Sequence, residues 1–213
     1  MVRKKAVIVG AGSHARAIIG ILNQTDDYEI LEILDLDFIQ GSNENILGIP
    51  IKPIENLNLF KEDSQICIFL AIGDNNLRES LFTKLSNDFV LPNLISPFAL
   101  IDKSVMLGTA NVICSNVYIG PLVKIGHNNI INSSSVIEHE VQISNNCHTA
   151  PSSTICGRSS LGKNCFLGAN ATIIDKINIC NGTTIGAGST VINPVVDENL
   201  TLVGSPAKII SSK

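Results

Sequence analysis

The chain has 213 residues, enough for one or two domains. Charged residues make up 16% of it and aromatic residues 4%, with no tryptophan, whereas isoleucine, asparagine, serine and glycine are abundant. The net charge of −4 and the pI near 5.5 give no electrostatic reason to expect a nucleic-acid partner.

The first residues do not resemble an export signal. The apolar run between Met1 and Ile19 is interrupted by Gly10, Gly12, His14 and Arg16. No segment of the chain reaches the ~20 apolar residues that a membrane helix needs. We therefore expect no membrane span and a cytoplasmic protein.

The first ninety-odd residues alternate between strand and helix patterns, which predicts a small parallel sheet with helices on its faces. A loop with a short edge hairpin is expected between Gly41 and Pro53. This region, residues 1–93, is predicted to be a Rossmann-like βαβ domain. The predicted elements are strands at Ala6–Val9, Tyr28–Leu34 and Gln65–Ile72 and helices at Ala15–Leu22 and Leu77–Leu85.

The turn after the first strand carries half of a dinucleotide-binding fingerprint. Gly10 and Gly12 would allow a tight turn and let a phosphate approach backbone N–H groups at the start of a helix. Asp35, 23 residues after Gly12, lies where an acid usually meets a ribose or base. His14 would suit contact with a substrate phosphate or sugar. Glycine-rich first turns also occur for packing reasons alone, so the motif is a weak signal by itself.

A six-residue repeat begins at the boundary near Pro92 to Pro97. Every sixth residue from Ile95 to Val191 is Ile, Leu or Val, with one exception at Thr149. Neither a helix nor an alternating strand has this period, whereas a parallel β-helix does. Residues 94–213 are therefore predicted to form a β-helix that ends near Val191 in an irregular cap.

The histidines of this region point outward in the predicted β-helix. His139 lies between Glu138 and Glu140, and a neighbouring carboxylate can hold an imidazole in the tautomer that presents a free nitrogen to substrate. The alternative is a solvated turn histidine. His127 has no such neighbours and is interpreted as a turn residue, and His148 directly precedes the break in the apolar pattern.

Three hexapeptides make one coil of 18 residues, so residues 18 apart stack. His139 and His148 are nine apart, half a coil, and should point in different directions within one subunit. If both serve one site, that site lies between subunits, which predicts an oligomer. The same spacing places Arg158 above Glu140, at ~4.8 Å, where the two could form an ion pair.

The six cysteines include no CxxC pair, and Cys147, Cys156 and Cys165 occupy regular positions of the repeat. We expect buried thiols and no metal site. Because Cys147 is predicted to point inward, an acyl-cysteine intermediate is not expected.

Taken together, these motifs resemble the bacterial sugar O/N-acetyltransferases of the sialic-acid O-acetyltransferase and bacillosamine-pathway type. The resemblance covers nearly the whole chain. It implies a left-handed β-helix, a homotrimer, acetyl-CoA as donor and a nucleotide-activated amino sugar as acceptor. The segments that carry it are residues 10–14, 34–35, 71–75 with Arg78, 132–140, 165–169, 185–188 and 203–208.

The resemblance also implies roles for individual residues. His139 matches the general base of the family and Glu140 the acid that orients it. Two departures stand out: Leu36 is found where relatives that bind uracil often have a second Asp, and Arg158 where a small or polar residue is usual. Asn132 matches a position near the acceptor amine, His148, Ala169 and Ala187 match positions that line acetyl-CoA, and Gly12, Ser13, His14, Asp35 and Gly73 match the nucleotide-sugar site.

The resulting hypothesis is an acetyl-CoA-dependent N-acetyltransferase acting on the 4-amino group of a nucleotide-activated, UDP-linked 4-amino-4,6-dideoxy sugar of bacterial surface glycans or glycoproteins. His139 would be the general base. Two alternatives stay open: a sialic acid O-acetyltransferase with the same fold, and a non-catalytic solenoid scaffold with a nucleotide-sensing domain. The His139–Glu140 pair argues against the scaffold.

Overall fold

The computed structural model describes residues 3–212, and the chain divides into two compact units, Met1–Pro97 and Phe98–Lys213. Residues 1, 2 and 213, which the predicted domains include, lie outside the described part. The division falls at the end of the segment from Pro92 to Pro97, where the six-residue repeat begins.

The first unit is an α/β domain with a five-stranded sheet in the order β3-β4-β2-β1-β5. β1 pairs in parallel with both β2 and β5, and β2 with β4, whereas β3 and β4 form the expected antiparallel edge hairpin. The Rossmann-like prediction is therefore confirmed. Its elements are β1 (Lys4–Val9), α1 (Ser13–Thr25), β2 (Tyr28–Asp35), β3 (Asn45–Ile46), β4 (Ile49–Pro53), a 3₁₀ helix (Ile54–Phe60), β5 (Ile66–Leu70), α2 (Asn75–Leu85) and β6 (Leu94–Ile95).

The core of this unit forms because the central strands are apolar on both faces, as in parallel sheets covered by helices. All five residues of β5 and the last four of β1 are buried. Helix α1 buries the stripe that includes Ile18, Ile19 and Leu22 and ends at Asp26, which adopts a left-handed conformation with φ 57°. Because β2 and β5 lie on opposite sides of β1, the strand order reverses between β1 and β5, and such sheets bind ligands at the carboxyl ends of the strands beside this topological switch point.

The second unit is a left-handed parallel β-helix of two-residue strands arranged in three sheets. The first sheet contains β7 (Leu100–Ile101), β10 (Tyr118–Ile119), β13 (Val136–Ile137), β16 (Thr154–Ile155), β19 (Thr172–Ile173) and β22 (Thr190–Val191). The second contains β8 (Met106–Leu107), β11 (Lys124–Ile125), β14 (Gln142–Ile143), β17 (Ser160–Leu161) and β20 (Asn178–Ile179). The third contains eight strands: β6, β9 (Val112–Ile113), β12 (Ile130–Ile131), β15 (His148–Thr149), β18 (Phe166–Leu167), β21 (Thr184–Ile185), β23 (Leu200–Val203) and β24 (Lys208–Ser212).

The six-residue repeat is explained by this geometry, since the second residue of each short strand points to the axis. From Ile113 to Val191 these residues are at most 3% exposed. Thr149, the exception in the pattern, is fully buried, and its hydroxyl donates to the carbonyl of Ile130 at 3.4 Å. The polar side chain is thus tolerated because it has a backbone acceptor.

The corners of the β-helix require an unusual backbone conformation. Every sixth residue from Ala110 to Gly188 has a positive φ between 57° and 67°. Asparagine tolerates this left-handed region and occupies five of these corners: Asn116, Asn128, Asn146, Asn164 and Asn170. Glu140 and Arg158 occupy corners too, although long side chains are disfavoured there.

Two fully buried asparagines, Asn111 and Asn129, lie near one corner of the β-helix. Asn129 donates from both its backbone N–H and its amide nitrogen to Oδ1 of Asn111, at 2.9 and 3.0 Å, and its own Oδ1 accepts from the backbone of Cys147 at 2.7 Å. These hydrogen bonds link successive coils, and they give the buried side-chain amides hydrogen-bond partners.

The end of the chain is more regular than predicted. Instead of an irregular cap after Val191, β23 pairs in parallel with β21 and extends the third sheet. β24 then turns back and pairs antiparallel with β23, which covers the edge of that sheet. These strands could not be recognised in the sequence because Pro194, Gly204 and Pro206 interrupt the repeat.

Within the described residues all six cysteines are free, and Cys147 and Cys165 are fully buried. No helix in residues 3–212 is long and apolar enough to span a membrane.

Candidate functional site

The turn between β1 and α1 opens a cleft at the carboxyl edge of the sheet. Gly10 has φ +107°, and a Cβ there would lie 2.5 Å from Cδ1 of Ile72 and 3.0 Å from the carbonyl oxygen of Ala71, so only glycine fits. Gly12 has open space around it and is the N-cap of α1 without a side-chain cap. The first N–H groups of the helix therefore face the turn, as in phosphate-binding sites.

Asp35, at the end of β2, is hydrogen-bonded to this turn. Its Oδ2 accepts a hydrogen bond from the backbone N–H of Ala11, and its Oδ1 accepts one from Asp37 at 2.8 Å. The carboxylate thus shapes the cleft as well as lining it.

The cleft has a volume of about 310 Å³, and two of the acids that line it, Asp37 and Glu44, were not predicted from the sequence. Asp37 lines it together with Phe38, whereas Leu36 does not line it and is 43% exposed. Residues 36 and 37 form a turn directly after β2, so the acid that some relatives have at position 36 has a counterpart one residue later.

His14 lies in the first turn of α1, beside the loop that follows β5. Burial, and to a smaller extent the Arg78 guanidinium, lowers the pKa of His14 from 6.5 to about 4, so the ring is neutral near pH 7. Arg78 is 1% exposed and donates to the carbonyls of Ile72 and Gly73 at 3.1 and 3.2 Å. His14, Gly73 and Arg78 therefore form one cluster, while Ser13 is exposed at the start of α1.

In the β-helix, His139 and Glu140 form a hydrogen-bonded dyad at the corner between β13 and β14, which we call the dyad corner (residues 138–140 and those 18 and 36 positions later). Nδ1 of His139 lies 3.0 Å from Oε2 of Glu140, and both side chains are about half exposed, at 46% and 50%. Because a carboxylate only accepts, Nδ1 carries the proton and Nε2 holds a free lone pair. This is the arrangement that a general base requires.

The His139 ring packs on Gly157 in the next coil. A Cβ at Gly157 would lie 2.5 Å from Cε1 and 2.6 Å from Nε2 of His139. Gly157 therefore makes room for the ring. Gly157 lies 18 residues after His139, one full coil, and this spacing is the signal in the sequence that could have identified it.

The predicted ion pair between Arg158 and Glu140 is wrong. Arg158 does stack on the dyad corner, where its backbone N–H donates to the carbonyl of His139 at 3.0 Å. Its guanidinium, however, turns to Asp175, at 2.8 Å between Nη2 and Oδ2. The expectation failed because it considered only the coil that precedes Arg158, and Asp175 lies at the same corner in the coil that follows.

His148 and Asn132 lie at a different corner, between the third sheet and the first. Nδ2 of Asn132 is 3.4 Å from Nε2 of His148, and the His148 ring meets Phe166 edge-on at 5.2 Å between centroids. Ala169 and Ala187 occupy the same corner in the coils that follow β18 and β21. We call this set, Asn132, His148, Ala169 and Ala187, the alanine corner.

Small residues at the alanine corner keep successive coils in close contact. A Cβ at Gly168 would collide with the backbone nitrogen of Ala187, so glycine is needed for this approach of the two coils. The structure thus brings the predicted acetyl-CoA residues together at one corner and the predicted catalytic pair at another, separated by the first sheet.

The remaining candidates have structural roles. Nδ1 of His127 accepts from the backbone N–H of Thr109 at 3.0 Å, which makes it a turn residue between coils. Cys147 is fully buried, with its thiol donating to the carbonyl of Gly162 at 2.9 Å.

Comparison with known proteins supports the two-unit architecture. Residues 5–85 match the PglD N-terminal domain, and residues 158–193 match the bacterial transferase hexapeptide family, six repeats. The chain is 34% identical over 115 residues to UDP-N-acetylbacillosamine N-acetyltransferase of Bacillus subtilis (strain 168), which covers 52% of this chain and 51% of the relative. The match thus spans about half the length of that curated relative.

Solved structures match over nearly the whole chain. PerB of Caulobacter crescentus, crystallised with CoA and GDP-perosamine, is 33% identical, with a TM-score of 0.90 over 97% of both chains. The acetyltransferase domain of PglB from Neisseria gonorrhoeae FA1090 is 24% identical and has a TM-score of 0.87 over 98% of this chain and 100% of that one, which is a likeness of fold. With both domain matches and a relative covered almost end to end, the chain belongs to the hexapeptide-repeat sugar acetyltransferase family.

Proposed function

We propose that this protein transfers the acetyl group of acetyl-CoA to the 4-amino group of a nucleotide-activated 4-amino-4,6-dideoxy sugar. The observation that carries the proposal is the dyad of His139 and Glu140, joined at 3.0 Å with Nε2 of the histidine left as an acceptor. The relatives support it. One is named for N-acetyl transfer to a UDP-linked sugar, and another was crystallised with CoA and GDP-perosamine.

The reaction is direct transfer. The neutral amine attacks the thioester carbonyl carbon, a C–N bond forms, and Nε2 of His139 takes the proton from the nitrogen. The tetrahedral intermediate collapses with cleavage of the C–S bond, and the leaving thiolate takes up a proton from His139. A general base of this kind contributes about 10²–10⁴-fold, and positioning of the two substrates supplies much of the rest. Crystallised variants of the perosamine enzyme that replace one histidine support a histidine as base.

Acetyl-CoA is the co-substrate in this proposal, and it lies along the alanine corner. The small side chains of Ala169 and Ala187 leave room at this corner for the long, extended pantetheine chain, and the nearby rings of His148 and Phe166 add an apolar wall. Asn132, 3.4 Å from His148, is proposed to contact the acceptor amine from this side.

The nucleotide sugar binds in the first unit. Gly12 and Ser13, at the start of α1, bind the diphosphate, and Asp35 binds the ribose. His14 and Gly73 contact the amino sugar. In this proposal residues 1–93 recognise the acceptor and residues 94–213 carry out the transfer. The six free cysteines fit the reducing cytoplasm, where we place the reaction.

Three nucleotides are candidates: UDP, GDP and dTDP. UDP is the nucleotide expected from the sequence, but Asp37 in the cleft favours GDP. A carboxylate accepts from the adjacent N1–H and 2-amino group of guanine, whereas uracil offers one N–H flanked by two carbonyls.

The active form is proposed to be a homotrimer. His139 lies at the dyad corner and His148 in the third sheet, so one chain does not present both to a single groove. A neighbouring subunit that contributes the alanine corner would complete the site next to His139.

The proposal is tested by measuring thiol release from acetyl-CoA with a panel of UDP-, GDP- and dTDP-linked 4-amino sugars and free or CMP-linked sialic acids. Turnover with one or more 4-amino sugars is expected, together with an N-acetylated product by mass spectrometry. Turnover with sialic acids alone would favour the O-acetyltransferase alternative. Nucleotide-sugar binding without turnover would favour the scaffold.

A further inference from the structure

We propose that Asp175 is a positioning residue for the base: it holds Arg158 away from Glu140 and so preserves the dyad of His139 and Glu140. This inference rests on the proposed function and concerns a residue outside the expected site. Asp175 lies two coils above His139, with Gly157 between them at the same corner.

The guanidinium of Arg158 is held by three hydrogen bonds to the carboxylate of Asp175. Its Nη2 lies 3.1 and 2.8 Å from the two carboxylate oxygens of Asp175, and its Nε lies 3.3 Å from Oδ1. Bidentate contacts of this kind fix the direction of a guanidinium. The side chain of Arg158 is still 46% exposed, so the pair contributes little to stability, and its consequence is the orientation of Arg158.

Without Asp175, the adjacent corner carboxylate for Arg158 is Glu140. The two residues occupy equivalent corners 18 positions apart, with φ of 60° each, and the backbone bond from Arg158 to His139 keeps the coils in register. A guanidinium offers two parallel N–H groups to a carboxylate, whereas His139 offers one. Arg158 would therefore compete successfully for Glu140, because both contacts are equally exposed to water.

The competition changes the chemistry of His139. Glu140 fixes the tautomer in which Nε2 is free. A Glu140 that is bound by Arg158 no longer fixes this tautomer or the orientation of the ring. The other charged or titratable groups at this corner are Glu138, Cys156, Arg158, Asp175 and Lys176.

Four variants separate this role from a direct effect of the Asp175 charge. Asp175→Asn is expected to lower kcat about tenfold while changing KM little. In a Glu140→Gln background, Asp175→Asn should cause no further loss. Asp175→Asn combined with Arg158→Gln should recover most of the activity.

Two kinetic results would overturn the proposal: wild-type kinetics in Asp175→Asn, or an equal additional loss in the Glu140→Gln background, which would indicate a direct field effect. A crystal structure of Asp175→Asn gives a readout without turnover. Arg158 within hydrogen-bond distance of Glu140 supports the proposal, and an intact dyad contradicts it. If the wild-type enzyme itself acetylates no amino sugar, the proposed function fails, and this structural result still decides the role of Asp175.

Discussion

The imidazole of His139 rests on Gly157 of the next coil, with space for hydrogen alone at the Cα of the glycine: an added Cβ would lie 2.5 Å from Cε1 of the ring. The catalytic geometry therefore depends on a residue that carries no functional group.

Gly157→Ala should displace the His139 ring while leaving the β-helix folded, because the clash involves the movable ring. A displacement of about 1 Å can cost up to about a hundredfold in rate. We expect kcat to fall by at least about tenfold, with an unchanged circular dichroism spectrum. In a His139→Ala background the same change should have no kinetic effect, and an equal loss in both backgrounds would contradict the interpretation.

The architecture could be predicted because it follows from repeating constraints. The six-residue period specifies which side chain faces the axis in every coil, and the strand–helix alternation specifies a parallel sheet. The C-terminal strands β23 and β24 could not be predicted in the same way. They complete the third sheet by pairing with existing edges, and their own residues follow no repeat.

The dyad was predictable for a local reason, since His139 and Glu140 are neighbours in sequence. The side chains that complete the corner were harder to predict. Gly157 and Asp175 are one and two coils away, and the choice of Arg158 between Glu140 and Asp175 depends on which side the guanidinium turns. The 18-residue spacing identifies which residues stack in neighbouring coils. The direction in which each side chain turns depends on the packing in the folded structure.

His14 predicts a pH dependence of stability in the first unit. Its pKa is lowered to about 4, so between pH 6.5 and about 4 the unfolded chain binds a proton that the folded chain does not. Stability should therefore fall as the pH drops through this window, by no more than about 3 kcal/mol. Urea unfolding at pH 7 and pH 4.5 measures it. His14→Gln should show a smaller loss than wild type, and identical losses would contradict the assignment.

Asp37 predicts nucleotide preference. If the carboxylate binds guanine, calorimetry should show tighter binding of GDP than of UDP. Asp37→Asn should then weaken the affinity for GDP by about tenfold and change the affinity for UDP little. Glu55→Gln, an exposed acid outside the cleft, is the matched control. Tighter UDP binding that is insensitive to Asp37→Asn would instead favour the UDP hypothesis.

The composite site predicts complementation between subunits. His139→Ala and Ala187→Trp should each be inactive, the first without a base and the second with a blocked alanine corner. Mixed after subunit exchange, they should recover partial activity, since some trimers contain one site with both faces intact. A mixture that stays inactive, although exchange is verified by native mass spectrometry, would place both faces in one subunit.

The central claim is that His139 is the base for acetyl transfer to a sugar amine. The most direct measurement is single-turnover formation of the N-acetylated nucleotide sugar by wild type and by His139→Ala, with acetyl-CoA binding measured in parallel. We predict a rate at least about a hundredfold lower in the variant, unchanged acetyl-CoA affinity, and an intermediate rate for Glu140→Gln. A His139→Ala enzyme that forms the same product at nearly the wild-type rate would contradict the account.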